Sequence, residues 1–242
     1  MVRSIVFCLM VFFATGVMGQ SKDTAFVKAA IMQAHKLYSS TIQGQTTLYN
    51  GKDYKEPAQT NDQHPFYGSD DWVYGSVNYA GQAFPNVPLL FDVTTEKVIT
   101  ENYYNADELV LINEKLESFT IGDHRFKKIK TEDVGNSLPQ SGFYHILHDG
   151  PSTLIAKRQK LMRERVEIDA IENDFEARDR YFIFKNGRYF QVKSKASILN
   201  VLSDEKQALR QFIKKRRIRF KNNQDASLPL VAAEYDRLKA AR

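Results

Sequence analysis

The chain has 242 residues, a formal net charge of +5 and a hydrophobic share of 43%. These values exclude a disordered chain and a membrane-embedded one, and the length allows one sizeable core or two small ones. Cys8 is the only cysteine and lies in an apolar N-terminal segment. The rest of the chain therefore forms no disulfide and has no thiolate metal site or cysteine nucleophile.

The N-terminus has the features of a secretory signal. Arg3 supplies a positive charge, residues 4–18 are apolar or small, and Val17 and Gly19 have the spacing that signal peptidase accepts. This pattern predicts a signal peptide over residues 1–19. The apolar run is shorter than the roughly 20 residues that a membrane-spanning helix needs. We therefore expect an exported protein, either periplasmic, outer-membrane associated or secreted, with no membrane span after cleavage.

The segment after the signal predicts a helix, a strand and a loop. Residues 23–41 place apolar side chains at helical spacing, with Asp23 as the N-cap. Residues 46–54 predict a strand that runs into an Asn-Gly turn. Residues 56–71 are polar and contain proline, which is typical of a long loop.

Residues 72–129 predict consecutive antiparallel hairpins. Runs rich in β-branched and aromatic residues occur at 72–79, 89–93, 98–100, 116–121 and 124–129. Gly122 and Asp123 separate the last two runs, and Gly supplies the positive φ that a type II′ turn needs. Leu89 and Phe91 would share one face of their strand while Leu90 points to the other. Both faces are then partly covered, which favours a barrel-like or two-layer arrangement.

The second half of the chain predicts two further hairpins and an uncertain segment between them. Residues 143–147 and 153–156 flank one turn, and residues 180–185 and 188–192 flank Asn186-Gly187, which suits a type I′ turn. Residues 160–180 fit either a solvated helix or a charged, extended hairpin arm. Their alternation favours the arm.

The periodicity then becomes helical. Ser194 predicts the N-cap of one helix, and residues 203–205 begin a second with acids at its positive end. Ser227 predicts the N-cap of a last helix, with Pro229 in its first turn. The fold class is therefore α+β, with an antiparallel β-hairpin body, an N-terminal helix and a C-terminal helical tail. The predicted divisions are the signal at 1–19, the body at 20–192, and a basic tail at 193–242 packed on or beside the body.

Three segments carry a resemblance to other proteins: residues 48–54, the hairpin from Gly142 to Arg158, and residues 189–195 leading into 212–215 and 220–221. Together they resemble a group of secreted bacterial proteins that have no assigned activity. The resemblance implies export and a β-rich body with a basic helical tail over most of the mature chain. It implies no catalytic or ligand-binding residue.

Few residues predict catalysis or a metal site. The sequence has no nucleophile elbow, zinc-protease motif, P-loop, dinucleotide fingerprint or EF-hand loop, which weakens an enzymatic interpretation without excluding it. His145 and His148 lie in a predicted strand, where their side chains would point to opposite faces and not bind one metal. The sequence predicts no cofactor. Asp62, Asp70 and Asp71 in the 61–71 loop are the acids available to a hydrolase of envelope polymers.

A run of bases near the C-terminus is the strongest binding signal. It contains no acid and seven bases: Arg210, Lys214, Lys215, Arg216, Arg217, Arg219 and Lys221. On one continuous helix, positions 210, 214, 217 and 221 share a face and could bind an anionic partner. The same charges also fit a solvated helix end that complements the negative end of the helix dipole. For an exported chain the expected partner is an anionic envelope component or an acidic protein, and no nucleic acid.

The leading functional hypothesis is therefore a non-catalytic binding or structural component of the cell envelope. An envelope-polymer hydrolase is the alternative.

Overall fold

The computed structural model describes residues 48–57, 63–102, 106–166 and 171–241. The predicted signal peptide and the helix at 23–41 lie outside this part of the chain. The described residues form an antiparallel β body followed by helices, so the α+β class is confirmed.

Along the described part of the chain, the named strands precede the named helices. The strands are β1 (Lys52–Asp53), β2 (Val73–Tyr79), β3 (Gln82–Asp92), β4 (Lys97–Glu101), β5 (Glu108–Val110), β6 (Leu116–Ile121), β7 (His124–Ile129), β8 (Gly142–His148), β9 (Leu154–Lys157), β10 (Lys160–Val166), β11 (Ile171–Ala177), β12 (Arg180–Lys185) and β13 (Arg188–Val192). The helices are α1 (Lys195–Val201), α2 (Lys206–Lys215) and α3 (Gln224–Ala240). An 11-stranded sheet has the order β1-β5-β4-β3-β2-β6-β7-β8-β9-β12-β13, and β10 pairs with β11 separately. The extended hairpin arm predicted at 160–180 is therefore confirmed.

Local turn chemistry sets several of these hairpins. Asn186 and Gly187 both have positive φ, at 51° and 80°, as a type I′ turn between β12 and β13 requires. Gly122 has a φ of 53° between β6 and β7, as predicted. Ser194 caps α1 through a reciprocal pair of hydrogen bonds with Ser197.

Strand β3 is longer than the run predicted at 89–93. It begins directly after a tight turn at Ala80 and Gly81 and tolerates Pro85 in its interior. The register with β2 passes from Gly75↔Val87 to Val77↔Phe84, which places one extra residue on β3. Pro85 lies in this β-bulge, where a ladder hydrogen bond is already interrupted.

The part of the sheet from β3 to β8 curls on itself. Phe91 in β3 and Phe143 in β8 are four strands apart, which would separate them by roughly 19 Å in a flat sheet. Their ring centroids are only 6.1 Å apart. Phe119 and Phe126, stacked at 4.8 Å, complete this aromatic core. The barrel-like arrangement therefore describes this part of the sheet.

The sheet has a covering layer on each face at its β9-β12-β13 end. Leu154 and Ile183 face the helices and pack with Ile198 and Val231 in one apolar cluster. On the other face, residues 130–141 bring Leu138 against the second cluster. The C-terminal helices are thus packed on β9, β12 and β13 through a core of their own. Within the described ranges, no helix combines the length and apolar character needed to cross a membrane.

Two other predicted boundaries are also wrong. Of the strand expected over 46–54, the structure describes residues 48–54, where the strand is limited to Lys52–Asp53 after the Asn-Gly pair and Leu48 is not in a strand. The last helix begins at Gln224 and not after Ser227, so Pro229 lies inside it. The earlier start has a physical reason, because the carboxylate of Asp225 in the first turn is held by Arg158 and complements the positive end of the helix dipole.

Candidate functional site

The basic segment, residues 210–221, lies at the surface. All seven of its bases are exposed. Helix α2 ends at Lys215, and Arg217 has a positive φ of 52°, so the chain turns there. The predicted stripe along one helical face is therefore wrong beyond Lys214. Arg210 and Lys214 share a face of α2, Lys215 is its last residue, and the later bases follow the helix end.

Apolar residues within the basic segment hold it against the helical core. Ile213 is buried there, and Ile218 and Phe220 pack against the same cluster. The N–H of Ile218 donates to the carbonyl of Ile213 at 3.1 Å, which fixes the turn. Within the part of the chain that the structure describes, none of the seven bases forms an ion pair. The exposed side chains therefore place their charge at the surface, and the guanidinium of Arg216 also lies over the ring of Phe212 at 5.8 Å.

A second polar cluster surrounds Arg158, where β9 ends and the β10–β11 arm begins. The Arg158 side chain is 4% exposed and binds Asp179 at 2.5 Å and Asp225 at 2.9 Å. Its guanidinium also lies over the rings of Tyr67 and Tyr181, at 5.6 Å and 5.8 Å. Burial opposes its charged form, but the hydrogen bond of Asp225 and the charge of Asp179 raise its pKa. Arg158 thus joins the arm and the start of α3 to the sheet.

The same arginine fixes the protonation of His145. Arg158 Nη2 donates to Nδ1 of His145 at 2.8 Å, and arginine has no acceptor atom. Nδ1 must therefore be unprotonated, so Nε2 carries the hydrogen and donates to Nδ1 of His124 at 3.2 Å. Burial, then the charges of Arg158 and His124, lower the pKa of His145 to about 3. The ring is therefore neutral at physiological pH. It accepts a hydrogen bond from Arg158 at Nδ1 and donates one from Nε2 to exposed His124.

This pair of histidines does not fit a metal site. A metal-ligating histidine normally donates its other N–H to an acceptor, but the other nitrogen of His145 faces the donor Arg158. The residues that the structure describes contain no group of three or more His, Asp or Glu side chains arranged to hold a metal ion. Chemically, the Arg158 cluster is a hydrogen-bonded network with Arg158 and His145 buried at its centre and with Asp225 and His124 at the surface, and it orients the elements that it joins.

The second histidine of the predicted pair has a separate role. Register between β8 and β9 shifts between Ile146 and His148, which places an extra residue on β8. The expectation that His145 and His148 point to opposite faces is therefore wrong. Nε2 of His148 lies 2.8 Å from the carboxylate of Asp236 in α3. The N–H of Ser152 donates to the same carboxylate at 3.0 Å, so this group secures α3 to the turn after β8.

The acids considered for a hydrolase are placed differently from one another. Asp62 lies outside the described residues. Asp70 and Asp71 are exposed. Asp71 accepts a hydrogen bond from the hydroxyl of Ser69 at 3.0 Å, and its own N–H donates back to that oxygen, which makes a local turn.

Comparison with known proteins adds no assignment. No family model, curated protein or solved structure matches the chain. A functional assignment therefore depends on the geometry of the basic segment and of the sheet surface.

The Arg158 cluster is the part of this site that sequence reasoning missed. Its contacts with His145, Asp179 and Asp225 join residues 13, 21 and 67 positions apart. No short motif contains these residues. The one local signal was a pair of bases, Lys157 and Arg158, at the end of a short apolar run and directly before a charged arm.

Proposed function

We propose that the protein is exported and serves as a non-catalytic binding component of the cell envelope. In this proposal the basic segment binds an anionic surface. One observation carries this proposal: seven exposed bases with no acid between them lie on the end of α2 and on the anchored segment that follows it. Unpaired exposed cations attract an anionic surface by about 1 kcal/mol each near that surface. Cations already engaged in ion pairs would contribute less.

The anchoring of the segment supports binding over a merely solvated helix end. Complementing the helix dipole accounts for bases only in the last turn of α2, namely Lys214 and Lys215. Arg217, Arg219 and Lys221 lie beyond the helix end, so this effect does not explain them. Their shared backbone is fixed by Ile218 and Phe220, which reduces the entropy lost on binding.

The proposal predicts salt-sensitive binding to anionic vesicles. The probe is a vesicle of phosphatidylglycerol and phosphatidylcholine, titrated with the chain from residue 20 to residue 242. Replacing Lys214, Lys215, Arg216 and Arg217 by Gln should weaken binding on the order of 100-fold or more. Raising the salt concentration should weaken vesicle binding by the wild-type protein more than vesicle binding by this variant, because salt screens exposed charges.

A matched control separates the segment from net charge. Replacing Lys52, Lys55, Lys115 and Lys130 by Gln removes the same charge from exposed sites elsewhere. The control variant should retain most of the affinity. Equal losses in both variants, or no binding by the wild-type protein to anionic vesicles at low salt, would contradict the proposal.

A further inference from the structure

A groove of about 490 Å³ crosses the outer surface of β2, β6, β7 and β8. Ile146 lines the groove, whereas Leu147, the next residue, packs in the helical core. The groove therefore lies on the face of the sheet opposite to the helices. Its volume falls within the range of small-molecule sites.

The register of the four strands produces the groove. Asn78 on β2 pairs with Ser118 on β6, and Ser118 pairs with Lys127 on β7. Thr120 on β6 pairs with Arg125 on β7 in the next row. The side chains on β2 and β6 are short and those on β7 are long, so the surface is low over β2 and β6 and rises at β7.

The floor of the groove is polar and ordered. The N–H of Ser76 donates to the hydroxyl of Thr120 at 2.9 Å, and the two hydroxyls lie 3.1 Å apart. The amide of Asn78 donates to the hydroxyl of Ser118 at 2.9 Å. Hydroxyl groups can donate and accept, so these residues retain capacity for a polyhydroxylated ligand. The rings of the lining residues Phe119 and Phe126 are buried in the aromatic core and leave the floor polar.

Charged groups border this floor. Exposed Lys127 forms no ion pair among the described residues. Arg125 pairs with Asp149 at 2.8 Å, but both side chains are more than half exposed, at 60% and 62%. An exposed pair of this kind is weak and can be exchanged for a ligand anion. Glu117, which lies where the β2–β6 register shifts, adds one carboxylate that can accept from ligand hydroxyls.

We propose that this groove binds a saccharide that carries a carboxylate group. Sugar hydroxyls match the row of hydroxyl and amide groups, and the carboxylate matches the two cations on β7. An apolar ligand would remove water from the floor without replacing the hydrogen bonds that its remaining donor and acceptor sites make, at a cost in free energy. Ile146 offers an apolar contact for the C–H surface of a sugar ring. This site goes beyond the proposed function and does not depend on the basic segment.

The test is calorimetric titration of the chain from residue 20 to residue 242 with trigalacturonate and with maltotriose, a neutral trisaccharide that has the same α-1,4 linkage. Trigalacturonate should bind, and maltotriose should bind at least about 10-fold more weakly, because a charge-assisted hydrogen bond is lost. Lys127→Gln should weaken trigalacturonate binding about 10-fold. Lys130→Gln removes one nearby exposed charge outside the groove and should leave affinity unchanged.

Several results would overturn the assignment. The first is the absence of trigalacturonate binding, and the second is equal binding of both sugars. The third is an unchanged affinity of the Lys127→Gln variant for trigalacturonate, when that variant has the melting temperature of the wild-type protein. Inorganic phosphate competing as strongly as trigalacturonate would make the groove a simple anion site. The variant with Gln at positions 214–217 should retain trigalacturonate binding, so failure of this proposal and failure of the proposed function are distinguishable.

Discussion

Replacing His145 by Gln tests the buried hydrogen-bond network through its dependence on pH. His145 is 5% exposed, and its ring stacks on Phe126 with the centroids 4.9 Å apart. Arg158 donates to it, His124 accepts from it, and the charge of Asp225 also acts on it. Glutamine can accept from Arg158 through its amide oxygen but has no proton to gain above pH 2.

The magnitude is set by the pKa of His145, which falls from 6.5 to about 3 on folding because of burial, Arg158 and His124. Between these two values the unfolded chain binds the proton and the folded chain does not. His145 therefore leaves the free energy of unfolding unchanged above about pH 7. It lowers the free energy of unfolding as the pH falls from there towards 3. The contribution changes by about 1.4 kcal/mol per pH unit over the middle of that window.

Urea unfolding of the wild-type protein and of His145→Gln between pH 4.5 and 7.5 measures this effect. At pH 7.5 the variant should be less stable, because it loses a packed ring and gains nothing. The difference in free energy of unfolding should then shrink by about 1.4 kcal/mol for each pH unit below 6. Phe126→Leu, a change in a neighbour that does not titrate, should show a constant difference. A constant difference for His145→Gln as well would refute the reasoning about this network.

Three other substitutions and one control have expected effects on the free energy of unfolding, each measured by urea denaturation at pH 7.5. Arg158→Leu should cost about 3 kcal/mol, because it leaves carboxylates and His145 without their shared donor, whereas Arg163→Leu in an exposed pair should cost less than about 1 kcal/mol. Phe119→Ala should cost about 3 to 5 kcal/mol through the cavity left in the aromatic core. Gly75→Ala should cost about 1 to 3 kcal/mol, because a Cβ there would collide with the backbone carbonyl of Thr120. Wild-type stability in any of these three variants would contradict the contact on which its prediction depends.

The hairpins were predictable because their turns are encoded by adjacent residues. Asn186-Gly187 and Gly122 permit positive φ where the chain reverses, and the flanking runs have strand composition. Ser194 was predictable as an N-cap for the same reason, since its partner Ser197 lies within one turn. Local chemistry of this kind needs no knowledge of the rest of the fold.

The bulges and the buried network were not predictable from the sequence. Pro85 argues against a strand on its own, and only the pairing of β3 with β2 shows that it lies in a bulge. Arg158 belongs to a residue type that usually lies at the surface, because arginine is rarely buried without partners. Its partners come from distant parts of the chain, including Asp225, whose contact also explains why the start of α3 was misplaced. The basic segment was found by composition, but the end of α2 at Lys215 changed its geometry.

The most direct test of the central claim is cell fractionation of the full chain with and without Gln at positions 214–217. The wild-type protein should be found in the envelope fraction at low salt and be released at high salt, since exposed charges are screened. The variant should be recovered as soluble exported protein at both salt concentrations, while the control with Gln at positions 52, 55, 115 and 130 behaves as the wild-type protein. The same distribution for all three proteins would contradict the account.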